Sequence, residues 1–152
     1  ARADAIVMLH NTWSEDTPEH PDWLANFHKP ILQAAVSPTG EAPSGPLIAF
    51  AGLARPEKFF DTLEAVGAKV EDTIPFGDHH HYSEDDMRLL AQLAEERGAQ
   101  LITTEKDAAR LSPEWRARVA VLPVAARFAD EAALDALLAP IQSRITAVHG
   151  EA

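Results

Sequence analysis

The sequence predicts an α/β fold layered on a parallel sheet, and three observations carry that reading. From Leu47 onward, short apolar runs alternate with amphipathic stretches of helical spacing. Their order is strand, helix, strand, helix, strand, short helix, strand, helix, which calls for parallel strands joined by right-handed crossovers. Helix start and stop residues stand where that alternation needs them. The 152 residues are 46% hydrophobic and 24% charged, enough for one globular domain with a proper core and too apolar for a disordered tail.

In chain order, Ala5–Leu9 is a short apolar run of buried-strand type. A polar stretch, His10–Pro21, follows, then an apolar-periodic patch at Trp23, Leu24 and Phe27, and a second run, Ile31–Val36. Ser37–Pro46 is rich in Pro, Gly and Ser and reads as a linker. Residues 1–46 are therefore expected to form an inter-domain strand and linker segment, and 47–152 an α/β domain. Leu47–Leu53 fits a buried strand. Pro56 suits a first helical turn, with Phe59, Phe60, Leu63 and Val66 at helical spacing and Gly67 as the stop. Val70–Phe76 is the next strand. Ser83 can cap a helix whose first turn carries Glu84, Asp85 and Asp86, whose apolar face holds Met87, Leu90, Ala91 and Ala94, and which ends at Gly98. Leu101–Thr104 and Val119–Val124 are further strands, separated by a helical turn opened at Ser112-Pro113. Asp130 caps a last helix in which Pro140 is expected to kink or break the run. The sum is a Rossmann-like α/β/α layered domain.

Composition excludes several classes. There is no Cys, hence no disulfide framework and no thiolate metal site. Lys and Arg number 13 against 24 Asp and Glu, a net charge of −11, which argues against nucleic-acid binding. No run reaches the length of a membrane span, and no signal peptide is visible. The chain opens without Met and enters an apolar strand almost at once, so a piece of a longer protein is expected.

Ligands of an open parallel sheet bind outside the carboxyl ends of the strands. Four segments are expected there: Leu53–Lys58, Gly77–Tyr82, Glu105–Arg110 and Ala125–Phe128. Together they bring Arg55, Lys58, Asp78, His79, His80, His81, Glu105, Lys106, Asp107, Arg110 and Arg127 to one edge. The histidine run is the sharpest signal, because an imidazole moves protons near neutral pH and a neighbouring carboxylate can fix its tautomer. On extended backbone, alternation would pair Asp78 with His80 and His79 with His81. Catalytic, metal-binding and structural readings all remain open; a metal is poorly supported without Cys or a helical His-x-x-x-His pair, and none is assigned. Thr103–Asp107 places Lys106 either on a phosphate or a partner, or in a buried Lys–carboxylate network, for which Glu105 and Asp107 are ready partners. Arg55–Lys58 could hold an anion at a helix start or be an ordinary capping turn. Trp13, Trp23 and Phe27 read as a satellite core or as part of a partner surface, the core being favoured. Neither Gly-x-x-x-x-Gly-Lys-[Ser/Thr] nor Gly-x-Gly-x-x-Gly occurs, so nothing here cradles a triphosphate or dinucleotide by itself.

Three ordered blocks are recognisable. Phe50-Ala51-Gly52-Leu53-Ala54-Arg55-Pro56-Glu57-Lys58-Phe59-Phe60 resembles the strand–turn–helix signature of the tetraacyldisaccharide 4'-kinases, the lipid A 4'-kinases. Phe76-Gly77-Asp78-His79-His80-His81-Tyr82 and Thr103-Thr104-Glu105-Lys106-Asp107-Ala108-Ala109-Arg110-Leu111 resemble that family's next two blocks, and Arg2–Val7 the strand leaving its first domain. Ala54 stands where many members carry Gly, and His81 often corresponds to Pro. The resemblance implies the C-terminal half of a two-domain P-loop-type kinase. That family transfers the ATP γ-phosphate, with Mg²⁺, to the 4'-hydroxyl of a tetraacylated glucosamine disaccharide 1-phosphate in lipopolysaccharide synthesis. It works at the cytoplasmic side of the inner membrane as a peripheral enzyme, with its membrane contact outside these residues. Its P-loop, metal-holding carboxylates and principal catalytic Asp lie in an N-terminal domain not included here, which would bind ATP and Mg²⁺ and be this chain's partner. Its catalytic His falls on His79, after Asp78, and Arg55, Lys58 or Lys106 would meet the substrate's 1-phosphate. Two rivals remain: a manganese phosphoesterase of the Asp-His-His type, and a non-catalytic interaction domain.

Overall fold

The structure, a computed structural model, describes residues 3–10 and 21–149. In chain order the elements are β1 (Ile6–His10), a 3-10 helix (Asp22–Phe27), β2 (Ile31–Pro38), β3 (Pro46–Ala51), α1 (Glu57–Ala65), β4 (Lys69–Pro75), α2 (Glu84–Arg97), β5 (Gln100–Thr104), α3 (Glu105–Ala108), α4 (Pro113–Arg116), β6 (Ala120–Leu122), β7 (Val124–Phe128) and α5 (Glu131–His149). Two compact units result: Pro38–Ala125, and Ala1–Ser37 with Ala126–Ala152.

In the first unit the sheet order is β4-β3-β5-β6, and every neighbouring pair is parallel. The central strand β3 shows why the layers form. Strand side chains alternate between faces: Leu47, Ala49 and Ala51 pack with Phe59 and Leu63 of α1, while Ile48 and Phe50 pack with Met87, Leu90 and Ala94 of α2 and with Trp115 of α4. Strand β5 splits the same way, Leu101 to the α2 side and Ile102 to the α1 side. A sheet covered on both faces is the α/β/α layering that the alternation predicts. Ser83 caps α2 in a reciprocal box with Asp86, and Gly98 ends the helix in the left-handed conformation (φ +58°) that glycine adopts without a Cβ penalty.

In the second unit the sheet order is β1-β2-β7, with β1 and β2 parallel and Ile6 paired to Ile31. Asp130 accepts the Ala133 amide at 2.9 Å and caps α5, and the helix continues through Pro140 without the expected break. Residues 1–46, read from sequence as an inter-domain strand and linker segment, hold the two paired strands β1 and β2. Trp23 and Phe27, expected to form a satellite core, are instead 60% and 51% exposed and meet edge to face at 6.1 Å, while Leu24 beside them is buried. Trp13, most of the polar stretch 10–21, and Arg2 of the family-like strand Arg2–Val7 lie outside the described residues. Among the described residues no helix is long and apolar enough to cross a membrane.

One strand differs from expectation. The run Val119–Val124 pairs in its sheet only over Ala120–Leu122, because Pro123 has no N–H to continue a ladder. The chain resumes as β7 in the other sheet, so Ala125–Phe128 is strand and not the expected loop, and Arg127 belongs to the second unit.

Candidate active site

Strand β4 lies on one side of β3 and β5 on the other. The winding reverses between β3 and β5, and the crevice beyond the carboxyl ends of such a strand pair is where doubly wound sheets bind ligands. Two segments leave the sheet there, Gly52 after β3 and Thr104–Arg110 after β5, and the loop following β4 reaches across to both.

The anchor is Asp107, which is fully buried. Its carboxylate accepts the Gly52 amide at 3.2 Å and the Thr104 hydroxyl at 2.8 Å, and its own amide donates back to Thr104 Oγ1 at 3.1 Å. Thr104 is thus the cap of α3, a single helical turn that aims Asp107 inward and puts Arg110 within reach of it. Arg110 Nη1 donates to Asp107 Oδ1 at 3.1 Å and to the Gly52 carbonyl at 3.3 Å. Arg116 of α4 holds α3 from behind, donating to the carbonyls of Ala108 (2.9 Å), Ala109 (2.8 Å) and Leu111 (3.2 Å).

The histidine loop docks onto this anchor. The His80 amide donates to the Gly77 carbonyl at 3.1 Å and closes a turn whose third residue, His79, has φ +58°. A left-handed conformation is costly for a residue with a Cβ. It is held here by the His79 amide, which donates to the Gly52 carbonyl at 3.1 Å, and by the ring, whose Nδ1 lies 3.1 Å from Arg110 Nη2. His79 Nε2 stands 3.8 Å from Asp78 Oδ2, beyond hydrogen-bond range, and the His79 side chain is 71% exposed.

His80 turns the other way. Its ring packs on Phe76 and Tyr82 and donates from Nε2 to Asp86 Oδ2 at 3.1 Å. The Ser83 hydroxyl and amide donate to the same oxygen at 2.7 and 2.8 Å. The Ser83 bonds first, and His80 after them, lower the Asp86 carboxyl from the ordinary carboxylate range to about 2. Among the described residues the buried Tyr82 hydroxyl has no hydrogen-bond partner of good geometry. Burial first, and then the negative charge of Asp107, raise its pKa far above the ordinary phenol value, so it stays protonated.

The structure therefore separates residues that the sequence groups together. The expected pairing of Asp78 with His80, and of His79 with His81, fails because the segment is a turn and not extended backbone. His79 faces Arg110, His80 faces Asp86 at the start of α2, and His81 is exposed. The strand-end ion network expected around Lys106 exists, but its cation is Arg110; Lys106 is exposed. Arg55 is exposed and Lys58 half-buried at the start of α1, and none of these three cations forms an ion pair among the described residues. The sequence places Asp107 at the site edge and beside Lys106 but does not mark it as the anchor, and it gives Gly52 no part of its own. The helical spacing of Thr104, Asp107 and Arg110 was the available signal.

No group of three or more His, Asp or Glu side chains is gathered to hold a metal ion among the described residues, and no triphosphate-cradling loop occurs in the sequence. The described residues thus do not by themselves fit Mg²⁺ or the phosphates of ATP.

The family model described as LpxK, tetraacyldisaccharide-1-P 4'-kinase, matches residues 1–142. The chain belongs to the tetraacyldisaccharide 4'-kinase family. It is 46% identical over 144 residues to the tetraacyldisaccharide 4'-kinase of Hyphomonas neptunium, a match covering 95% of this chain and 42% of that protein. Against the same-named protein of Maricaulis maris it is 42% identical over 156 residues, covering 100% and 45%. Among solved structures it is similar to the "apo" form of LpxK from Aquifex aeolicus in complex with ATP, with TM-score 0.59 and 25% identity over 92% of this chain and 43% of that one. The chain thus spans less than half the length of the kinases it matches. Membership of the family displaces the phosphoesterase reading of Asp78-His79-His80.

Proposed function

We propose that this chain is the C-terminal part of a lipid A 4'-kinase, which transfers the ATP γ-phosphate to the 4'-hydroxyl of a tetraacyldisaccharide 1-phosphate in lipopolysaccharide synthesis. The family match supports the activity, and one observation supports the placing of the site: His79, strained and exposed, is fixed at the switch point of the sheet by Arg110, itself paired with the buried Asp107. Backbone strain held in place by surrounding structure is characteristic of functional sites.

Phosphoryl transfer asks a protein mostly for positioning and charge, so one domain can carry the nucleotide while another positions the acceptor. In this reading ATP and Mg²⁺ belong to the N-terminal portion of the kinase, which this chain would partner. The His79 side chain meets the carboxylate that takes the 4'-hydroxyl proton, and keeps it oriented. Asp78, beside it, limits where that carboxylate can approach. Arg55, Lys58 and Lys106, which form no ion pair among the described residues, are the cations available to the substrate's 1-phosphate. The enzyme would work at the cytoplasmic face of the inner membrane.

The test is His79→Ala in the full-length kinase. It lowers kcat by about 10²–10⁴-fold, the ordinary worth of positioned proton-transfer assistance, with ATP affinity little changed. His80→Ala costs stability through the lost Asp86 bond and costs kcat less. Near-wild-type kcat in folded His79→Ala protein overturns the reading.

A further inference from the structure

We propose that Arg110 is the positioning residue of His79, fixing its ring through Nδ1 so that Nε2 carries the proton and points outward as a donor; the catalytic consequence rests on the kinase reading above. A guanidinium has five N–H donors and no acceptor. Its 3.1 Å approach to His79 Nδ1 therefore requires the lone pair on that nitrogen, which leaves the ring proton on Nε2. Nε2 lies on the side of Asp78 rather than of Arg110, on a side chain open to an incoming oxygen.

The guanidinium divides its work between two nitrogens. Nη1 is spent inward on Asp107 and the Gly52 carbonyl, and the Arg110 side chain is only 20% exposed. Nη2 is spent outward on His79. The His79 amide bonds the same Gly52 carbonyl, so ring and backbone of His79 are both referenced to one point at the end of β3. A planar fork does this and a lysine does not, since one ammonium cannot span both sites.

That difference supplies the test. In the full-length kinase, Arg110→Lys keeps a cation for Asp107 and leaves Tm and KM for ATP near wild type, while kcat falls about 10- to 100-fold through loss of alignment. Placed on top of His79→Ala, Arg110→Lys costs nothing further, because its effect runs through a ring already gone. A full second loss in the double variant overturns the proposal. Long-range ¹H–¹⁵N spectra of the ¹⁵N-labelled 152-residue chain give a reading that needs no activity. The wild type shows the His79 proton on Nε2 and a coupling from the Arg110 side-chain protons to Nδ1, and Arg110→Lys abolishes that coupling. Absence of the coupling in wild type overturns the Arg110 assignment; its presence in a full-length protein without kinase activity overturns the functional reading instead.

Discussion

The carboxylate of Asp107 accepts the backbone amide of Gly52 at 3.2 Å, joining the ends of β3 and β5 across 55 residues of sequence. With Thr104 and Arg110 on the same carboxylate, this one buried side chain organises the crevice at the point where the sheet reverses its winding.

Asp107→Ala strips three donors of their acceptor and leaves Arg110 without its counter-charge in a largely buried position. Removing one partner of such a pair costs about 3–5 kcal/mol. Asp107→Asn keeps the shape and one good acceptor and costs less, about 1–3 kcal/mol. Urea denaturation of the 152-residue chain measures both, and an Ala variant within about 1 kcal/mol of wild type contradicts the anchoring role.

Gly52 has no room for a side chain. A Cβ there would stand 3.0 Å from the Tyr82 hydroxyl and 3.2 Å from both Asp107 Oδ1 and His80 Cβ. Gly52→Ala therefore pushes apart the two loops that form the site, at an overpacking cost of about 1–3 kcal/mol. In crystal structures of the variant the Asp107 and Tyr82 side chains move away from residue 52; unmoved side chains and unchanged stability contradict this packing.

Much of the fold is legible in the sequence because local signals agree with the global arrangement. Ser83 and Gly98 bracket α2, and the apolar run of β3 serves both faces of the sheet. Strand β7 is not legible: Val124-Ala125-Ala126-Arg127 is mostly exposed and has neither a strand-like apolar run nor alternation. Only Pro123 hints that one apolar stretch feeds two sheets. At the site, the histidine run announces itself, but the partner of His79 does not. Lys106 and Arg110 look equivalent in sequence, and it takes the single turn of α3 to send one outward and the other onto Asp107. The split between His79 and His80 likewise depends on one left-handed residue, which no pattern of apolar and polar residues encodes.

The link between His80 and α2 is sensitive to acid. The Asp86 carboxyl is lowered to about 2 in the folded chain, against about 3.9 for an unfolded aspartate. A depressed carboxyl contributes stability that is complete above the unfolded value and is lost as pH falls from about 4 towards 2. Asp86→Asn removes that contribution at every pH. Urea midpoints followed from pH 6 to pH 2 converge between wild type and Asp86→Asn across this window. A constant gap down to pH 2 shows that the Ser83 and His80 bonds do not favour the charged form.

His79→Gly separates the strain at this position from the chemistry of the ring. His79 holds φ +58°, a conformation that costs a side-chain-bearing residue about 1–2 kcal/mol and glycine almost nothing. Glycine also gives the unfolded chain more freedom, which returns about 0.4–1 kcal/mol of that gain. His79→Ala and His79→Gly both lose the Arg110 bond, so comparison of the two isolates the backbone. The Gly variant is the more stable by about 1 kcal/mol, and the two are equally impaired as kinases in the full-length protein. Equal urea midpoints for the two mean that the turn is unstrained in solution. A Gly variant more stable than wild type and yet inactive means that the strained conformation at residue 79 is maintained for the imidazole it presents.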